Sequence, residues 1–361
     1  MNCRALHAML LGLMACVANT QGMLEPVWSV DTAPGPVEIS SDGAFVLHSY
    51  REETGYRFVM RDTKTGEVTG QVVIKDGWRG LNPSLSADGR FVVDYVDNGQ
   101  TWATRVYRLS DGALLRHIPL ALRGRLSPTG EYVYYADTGI NHLKKMRVSD
   151  GSIIWSVDLG YVSVYHEDTA VTPDGSRVAG VALLDNQIYM MREFDAEDGT
   201  QLNQFPVVGD DYDVKRSLQY THEGTRIAFA RHNYYNGIGR SYDVEQGDLL
   251  ASLSHLGLLS MQFDAQSRQV QTAGLDGSLR IWDGSTLSLL GVFTSLITFA
   301  SDISDDGRFI VLEGREVEGS PARVKLVRNP LSSIIGTPES AVVKRGRTLY
   351  GDVGSLTDND S

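Results

Sequence analysis

The chain has 361 residues, 42% hydrophobic and 22% charged, enough for two average domains or one large all-β domain. Its 37 glycines and 11 prolines fit neither a collagen-like nor a broadly disordered chain. A net charge of −12 argues against a nucleic-acid binder, which needs basic surface to displace phosphate counterions.

Residues 1–22 differ from everything after them. Arg4 is their only formal charge, and Ala5 to Val17 is an almost unbroken apolar run of thirteen residues. A helix of that length is too short to span a bilayer, which takes about 20 residues. A basic start, an apolar middle and small residues beyond describe a secretory signal peptide, so the protein is expected to be exported, periplasmic or extracellular. No later segment is apolar enough to cross a membrane. Both cysteines, Cys3 and Cys16, lie in the leader. Cleavage after Ala18 or near Gly22 removes both. Alternatively, Leu13-Met14-Ala15-Cys16 is similar to a bacterial lipobox, and Cys16 becomes the acylated first residue of a lipoprotein. Neither route leaves a structural disulfide, so stability must come from packing.

From residue 23 onward one unit recurs. A β-type stretch meets a Ser/Thr-x-Asp-Gly-like turn and continues into an apolar strand. The turns begin at Ser40, Ser86, Ser127, Thr172, Thr221, Asp264 and Ser304, at intervals of 46, 41, 45, 49, 43 and 40 residues. The sixth, Asp264-Ala265-Gln266-Ser267, is degenerate. About twenty residues after each comes a second turn: Asp62 to Gly66, Ser110-Asp111-Gly112, Ser149-Asp150-Gly151, Glu197-Asp198-Gly199, Glu245-Gln246-Gly247, Asp283-Gly284-Ser285, and Arg328-Asn329-Pro330 in the seventh unit. Glycine takes positive φ at no steric cost, and Asp or Ser bonds the nearby backbone, so each turn reverses the chain tightly. The intervening runs, such as Phe91 to Tyr95 and Tyr132 to Tyr135, are β-branched and aromatic, without sustained helical spacing. Four short strands per unit, seven times over, predict an all-β, seven-bladed β-propeller over 23–330.

The units resemble WD-repeat and related bacterial propeller blades over roughly residues 24–330. Blade six carries the resemblance most fully: Thr272 to Asp283 looks like a complete WD strand pair. The resemblance implies that His255, Thr272, Asp276 and Trp282 form a buried hydrogen-bonded tetrad. The chain between His255 and Phe263 is one residue shorter than that pattern, and no other blade has the Trp-Asp pair. Pro173 to Ala179 looks like the propeller of the periplasmic Tol system, and Asp150 to Trp155 is similar to a quinoprotein blade end.

Val27-Trp28-Ser29-Val30-Asp31 repeats Ile154-Trp155-Ser156-Val157-Asp158 almost residue for residue. The second copy is the outer strand of blade three. The first has no blade of its own, so it should complete blade seven and leave no unpaired sheet edge at the seam. Residues 331–361 fall outside the repeat. Ala341 to Lys344 is a candidate further strand, and the end from Gly351 has little to bury and reads as disordered.

Catalytic motifs are mostly missing. His166-Glu167 and His222-Glu223 each lack a His three residues beyond the Glu, and there is no Gly-x-Ser-x-Gly elbow. Gly237-Ile238-Gly239 reads as a loop without the third glycine of a phosphate cradle. No cofactor and no metal site is expected. The acidic residues of the repeated turns are explained by turn geometry. Candidate partner-binding residues fall on the loops between blades: Trp78, Arg79, Trp102, Tyr161, Tyr165, His166, Asp210, Asp211, Tyr212, His232, Tyr234 and Tyr235. Exposed aromatics beside charges have the composition of interface anchors; packing over the blades beneath is the competing reading. These features point to a monomeric, non-catalytic scaffold of the bacterial cell envelope that binds a protein partner. The alternative is a lactonase-like or quinoprotein dehydrogenase-like enzyme. It would use the polar channel candidates His166, Glu167, Asp168, Asp213, Lys215 and Asp302.

Overall fold

The computed structural model describes residues 24–332, apart from 25, 41–42, 54, 76–77, 161–168, 184–188, 208–215, 232–236, 265, 305–306 and 318. The leader with Cys16, and residues 333–361, lie outside the described residues. Within them the chain forms twenty-eight strands and no α-helix. None of it is a helix long and apolar enough to cross a membrane.

Strand β1 (Pro26–Thr32) precedes blade one, which holds β2 (Val37–Ile39), β3 (Phe45–Glu52), β4 (Gly55–Asp62) and β5 (Val68–Ile74). Blade two is β6 (Arg79–Leu85), β7 (Phe91–Asp97), β8 (Trp102–Arg108) and β9 (Leu114–Pro119). Blade three is β10 (Ala121–Leu126), β11 (Tyr132–Asp137), β12 (His142–Arg147) and β13 (Ile153–Asp158). Blade four is β14 (Thr169–Val171), β15 (Arg177–Leu183), β16 (Tyr189–Asp195) and β17 (Gln201–Val207). Blade five is β18 (Arg216–Tyr220), β19 (Arg226–Arg231), β20 (Gly237–Asp243) and β21 (Leu249–His255). Blade six is β22 (Leu258–Phe263), β23 (Gln269–Gly274), β24 (Ser278–Asp283) and β25 (Leu289–Thr294). Blade seven has β26 (Ile297–Ile303), β27 (Phe309–Arg315) and β28 (Ala322–Arg328). Each blade is one antiparallel four-stranded sheet, and β1 supplies the fourth strand of blade seven. Its Trp28 faces Leu326 and its Asp31 faces Arg323. From blade two round to blade seven the innermost strands of successive blades lie against one another, β26 meets β2 at the seam, and β3 and β4 of blade one meet β6. The fold is a seven-bladed β-propeller closed by its N-terminal strand.

The repeated turn has one physical solution in all seven blades. The amide of its fourth residue donates to the carbonyl of its first at 2.8 Å, from Gly43 to Ser40 through Gly307 to Ser304. The side chain of the first residue then accepts the opening amide of the next strand. Ser86 Oγ accepts from Phe91 and Thr172 Oγ1 from Arg177. The degenerate turn obeys the same rule: Asp264 Oδ1 accepts from Gln269 at 3.0 Å, and Ser267 takes the left-handed conformation, φ 54°. Burial pushes the Asp264 carboxyl up to about 6 against the pull of these amides.

Between blades, apolar side chains of facing sheets interlock. Leu47, Tyr56, Phe58, Leu85, Val92 and Tyr107 fill the space between blades one and two. At the outer end, the second-turn glycine of one blade rests on the outer strand of the blade before it. Trp28 lies under Gly66 and Trp155 under Gly199. The indoles also donate across the same gap, Trp28 Nε1 to Thr63 O at 2.9 Å and Trp155 Nε1 to Ala196 O at 3.2 Å. The matching sequences of β1 and β13 therefore do the same work.

One expectation is corrected. Gly237-Ile238-Gly239 is not a loop but the start of β20. A Cβ on Gly237 would lie 2.0 Å from the Leu258 Cβ, so glycine there lets β20 approach the innermost strand of blade six.

Candidate functional site

Three regions carry the side chains that chemistry or recognition requires: the innermost strands, blade six, and the loops and edges of the ring.

Two residues before each first turn, the innermost strands present Glu38, Ser84, Arg125, Ala170, Gln219, Gln262 and Asp302 at one register. Three of these reach forward to the next blade and accept the amide one residue before its turn. Glu38 Oε2 accepts from Leu85 at 2.9 Å, Gln219 Oε1 from Phe263 at 3.1 Å, and Asp302 Oδ2 from Ile39 at 3.1 Å. The second oxygen of Asp302 accepts the amide of Ile303 at 2.9 Å, the bond that Gln262 would otherwise make by the same rule. Among the described residues Gln262 Oε1 has no hydrogen-bond partner. Loss of solvent, followed by repulsion from Asp302, pushes the Glu38 carboxyl well above the usual carboxylate range, and the Leu85 amide and Arg125 only partly oppose this. Chemically the layer contains a carboxyl that favours its proton beside a carboxylate whose oxygens are committed to backbone amides. Among the described residues no three His, Cys, Asp or Glu side chains are grouped to hold a metal ion. Of the channel candidates named from sequence, Asp302 belongs to this layer, and His166, Glu167, Asp168, Asp213 and Lys215 lie outside the described residues.

In blade six the structure brings the four tetrad residues together. Trp282 Nε1 donates to Thr272 Oγ1 at 2.7 Å, and Thr272 Oγ1 is 2.8 Å from His255 Nδ1. On the far side of the ring, His255 Nε2 is 3.1 Å from Asp276 Oδ1. Since the Thr272 hydroxyl receives the indole N–H, its own proton goes to Nδ1, and Nε2–H donates to Asp276. Burial lowers the His255 pKa, keeping the ring neutral. Burial works against the charged form of Asp276 too, but bonds from His255 and Ser278 hold its carboxyl near 2. A neutral, buried, fully bonded histidine ties strands together and has no free nitrogen for catalysis.

Antiparallel alternation puts all first and second turns on one face of the ring and the inter-blade connections on the other. Of the partner-binding candidates expected on that second face, Tyr161, Tyr165, His166, Asp210, Asp211, Tyr212, His232, Tyr234 and Tyr235 lie outside the described residues. Arg79 opens β6. Trp78 is half-buried on the apolar cluster of blades one and two; its ring is 5.1 Å from that of His117 and lies over the Arg105 guanidinium at 4.6 Å. Trp102 packs on the cluster between blades three and four.

A further surface escaped the sequence reading. Val68, Leu114, Ile153, Ile154, Leu202, Leu249, Leu250, Leu289 and Leu290 are 37–52% exposed, all at the first two positions of the outer strands of blades one to six. They recur around the rim at the turn-bearing face, an interrupted aliphatic belt with one or two side chains per blade. The recurrent pairs Ile153-Ile154, Leu249-Leu250 and Leu289-Leu290, just after the second turn, were its visible signal.

No family model and no curated protein matches the chain. Among solved structures it is similar to Kuenenia stuttgartiensis hydrazine synthase, at 16% identity and a TM-score of 0.63, over 83% of this chain and 97% of that one. At that identity the likeness is one of fold.

Proposed function

We propose that this protein is an exported, non-catalytic propeller that serves as a protein-interaction scaffold in the bacterial cell envelope. The observation that carries this reading is the aliphatic belt: nine large apolar side chains exposed at equivalent positions of six outer strands. Where two of them are adjacent, at Ile153-Ile154, Leu249-Leu250 and Leu289-Leu290, the exposed apolar surface offers anchor points for a partner. The innermost layer supports the same reading, because Glu38, Gln219 and Asp302 spend their acceptors on neighbouring blades. Export is supported by the leader and by where the ring begins. A cut anywhere between residues 15 and 22 leaves β1, which starts at Pro26, intact. The WD-type assignment rests on the tetrad of blade six, and acylation at Cys16 is the membrane-anchored form of the same proposal. Hydrazine synthase is named for an enzymatic activity, but this chain shares its fold alone.

The test compares three proteins as baits against an envelope fraction: the wild type, the loop variant Tyr165→Ala/Tyr212→Ala/Tyr235→Ala, and the rim variant Leu249→Ser/Leu250→Ser/Leu289→Ser/Leu290→Ser. A partner held by the wild type and lost from one folded variant locates the binding face. Retention of every bound protein by both variants defeats the scaffold reading for these surfaces. Mass spectrometry of the native protein separates a free N-terminus from a diacylglyceryl Cys16; an intact Met1 would rule out export by cleavage.

A further inference from the structure

The rim differs in charge from blade to blade. In blades two and three the exposed acid of the second turn has a guanidinium on its own blade. Arg108 Nη2 lies 2.6 Å from Asp111 Oδ2, and Arg147 Nη1 lies 3.2 Å from Asp150 Oδ2. Blades four and five have no such base. Neither 193–207 nor 241–254 contains a Lys or Arg, yet Glu197, Glu245 and Asp248 are exposed there. Turn geometry accounts for Asp195, Asp198 and Asp243, whose Oδ1 atoms accept the amides of Glu197, Thr200 and Gln246. It does not account for the other three, whose carboxylates make no hydrogen bond or ion pair among the described residues. Lys145, whose charge is felt by Glu197, donates Nζ to Ala196 O at 2.7 Å beneath the Tyr132 ring. Arg177 and Arg226, which open β15 and β19, donate to Gly224 O at 2.6 Å and Gly284 O at 3.0 Å.

The same two blades expose apolar side chains. Leu202 on β17 and Leu249 and Leu250 on β21 are 48–49% exposed, and each strand is the last of its sheet. They belong to one surface, because the second turn of blade five is clamped onto β17. Asn203 Nδ2 donates to the carbonyls of Val244 and Glu245, the latter at 3.0 Å, and Gly247 lies over Phe205. Leu202 is thus the sequence neighbour of the residue that holds Glu245 in place, and Asp248 directly precedes Leu249. Exposed leucines interleaved with unpaired carboxylates fit a chain of the opposite charge. Its apolar side chains would cover the leucines while its ammonium or guanidinium groups reach the carboxylates. The same carboxylates disfavour nucleic acid and anionic lipid.

We propose that the rim of blades four and five binds an amphipathic, Lys/Arg-rich segment of a protein partner. This rests on the scaffold reading and narrows it to one surface and one chemistry.

A fluorescent peptide of Leu and Lys, titrated against the full chain, tests it beside one control with Ser for Leu and another with Glu for Lys. The Leu/Lys peptide should bind, with an affinity that falls as salt rises from about 0.05 to about 0.5 M. Each control should bind at least about tenfold more weakly. Leu249→Ser/Leu250→Ser and Glu245→Lys/Asp248→Lys should each weaken binding about tenfold or more. Ile153→Ser/Ile154→Ser, the corresponding pair on blade three, should change it less than about twofold. If the leucine variant does not fold, Glu245→Gln/Asp248→Asn carries the same measurement. The proposal is overturned if the Leu/Lys peptide does not bind, if the Ser/Lys peptide binds equally well, or if the blade-five changes leave binding untouched. The bait comparison separates it from the wider reading. An envelope partner that both blade-five variants still hold would leave the scaffold standing and overturn this surface as its binding site.

Discussion

The Asp302 carboxylate on the last blade accepts the amide of Ile39 on the first at 3.1 Å, joining residues 263 positions apart. Its other oxygen accepts the amide of Ile303 at 2.9 Å. The ring is therefore closed twice, at the outer edge by β1 and at the inner edge by this carboxylate. Asp302→Ala orphans two buried amides, each worth about 1–3 kcal/mol. The variant should lose roughly 2–6 kcal/mol in urea denaturation. Gln262→Ala, at the same register with an oxygen that bonds nothing among the described residues, should cost less than about 1 kcal/mol.

The blade-six tetrad makes a prediction in pH. An unfolded histidine takes up a proton near 6.5, whereas burial keeps the folded His255 neutral below that value. Fewer protons are bound in the native state, so stability falls as the pH drops below 6.5. His48, which burial lowers to about 4, adds to the slope in the same window. His255→Gln should melt lower than the wild type at pH 7 but lose less between pH 7 and pH 5. Thr272→Val, which unpairs the Trp282 indole and the His255 ring together, should cost about 2–4 kcal/mol at any pH in that range. Thermal denaturation across pH decides both.

The repeat was legible because each turn demands a local chemistry: an oxygen at its first residue and positive φ at its fourth. The closing strand was legible because Trp28 and Trp155 meet the same neighbours in different blades. Even Ser267 kept the register when glycine was lost, and Leu287, φ 54°, does so in the second turn of blade six. The inner clasp was not legible. Its seven positions hold Glu, Ser, Arg, Ala, Gln, Gln and Asp, with no residue type common to the set. Its bonds join backbone amides to side chains a blade away, which no periodicity announces. The tetrad came through a resemblance to a known family, and the aliphatic belt was hidden because outer-strand leucines look like core until the blades are placed in a ring.

Glu313 is fully buried on β27, and burial pushes its carboxyl from 4.5 to about 8, with the Gly35 amide and Arg315 pulling weakly the other way. The unfolded chain ionises near 4.5 and the native chain only near 8, so this group's contribution is complete below 4.5 and is lost as pH rises through 8. Glu313→Gln keeps the shape without the charge. It should match the wild type near pH 4.5 and exceed it by roughly 2–4 kcal/mol at pH 9. Equal stability at pH 9 would mean that the native carboxyl ionises at an ordinary value.

Two glycines with nearly the same backbone separate strain from contact. Gly66 and Gly277 have φ of 74° and 72°. A Cβ on Gly277 meets nothing within 4 Å, whereas one on Gly66 lies 2.8 Å from the Trp28 ring. Gly277→Ala therefore pays only for a left-handed alanine, about 1–2 kcal/mol. Gly66→Ala pays that and also displaces the indole that bonds Thr63 and anchors β1, adding about 1–3 kcal/mol of overpacking. The contact should be relieved by Trp28→Phe, whose smaller ring can retreat, but strain in the backbone cannot be. In a double-mutant cycle, Gly66→Ala should thus cost less in the Trp28→Phe background, and Gly277→Ala should cost the same in both. A cycle that sums to zero for Gly66 and Trp28 would mean the turn does not bear on the closing strand.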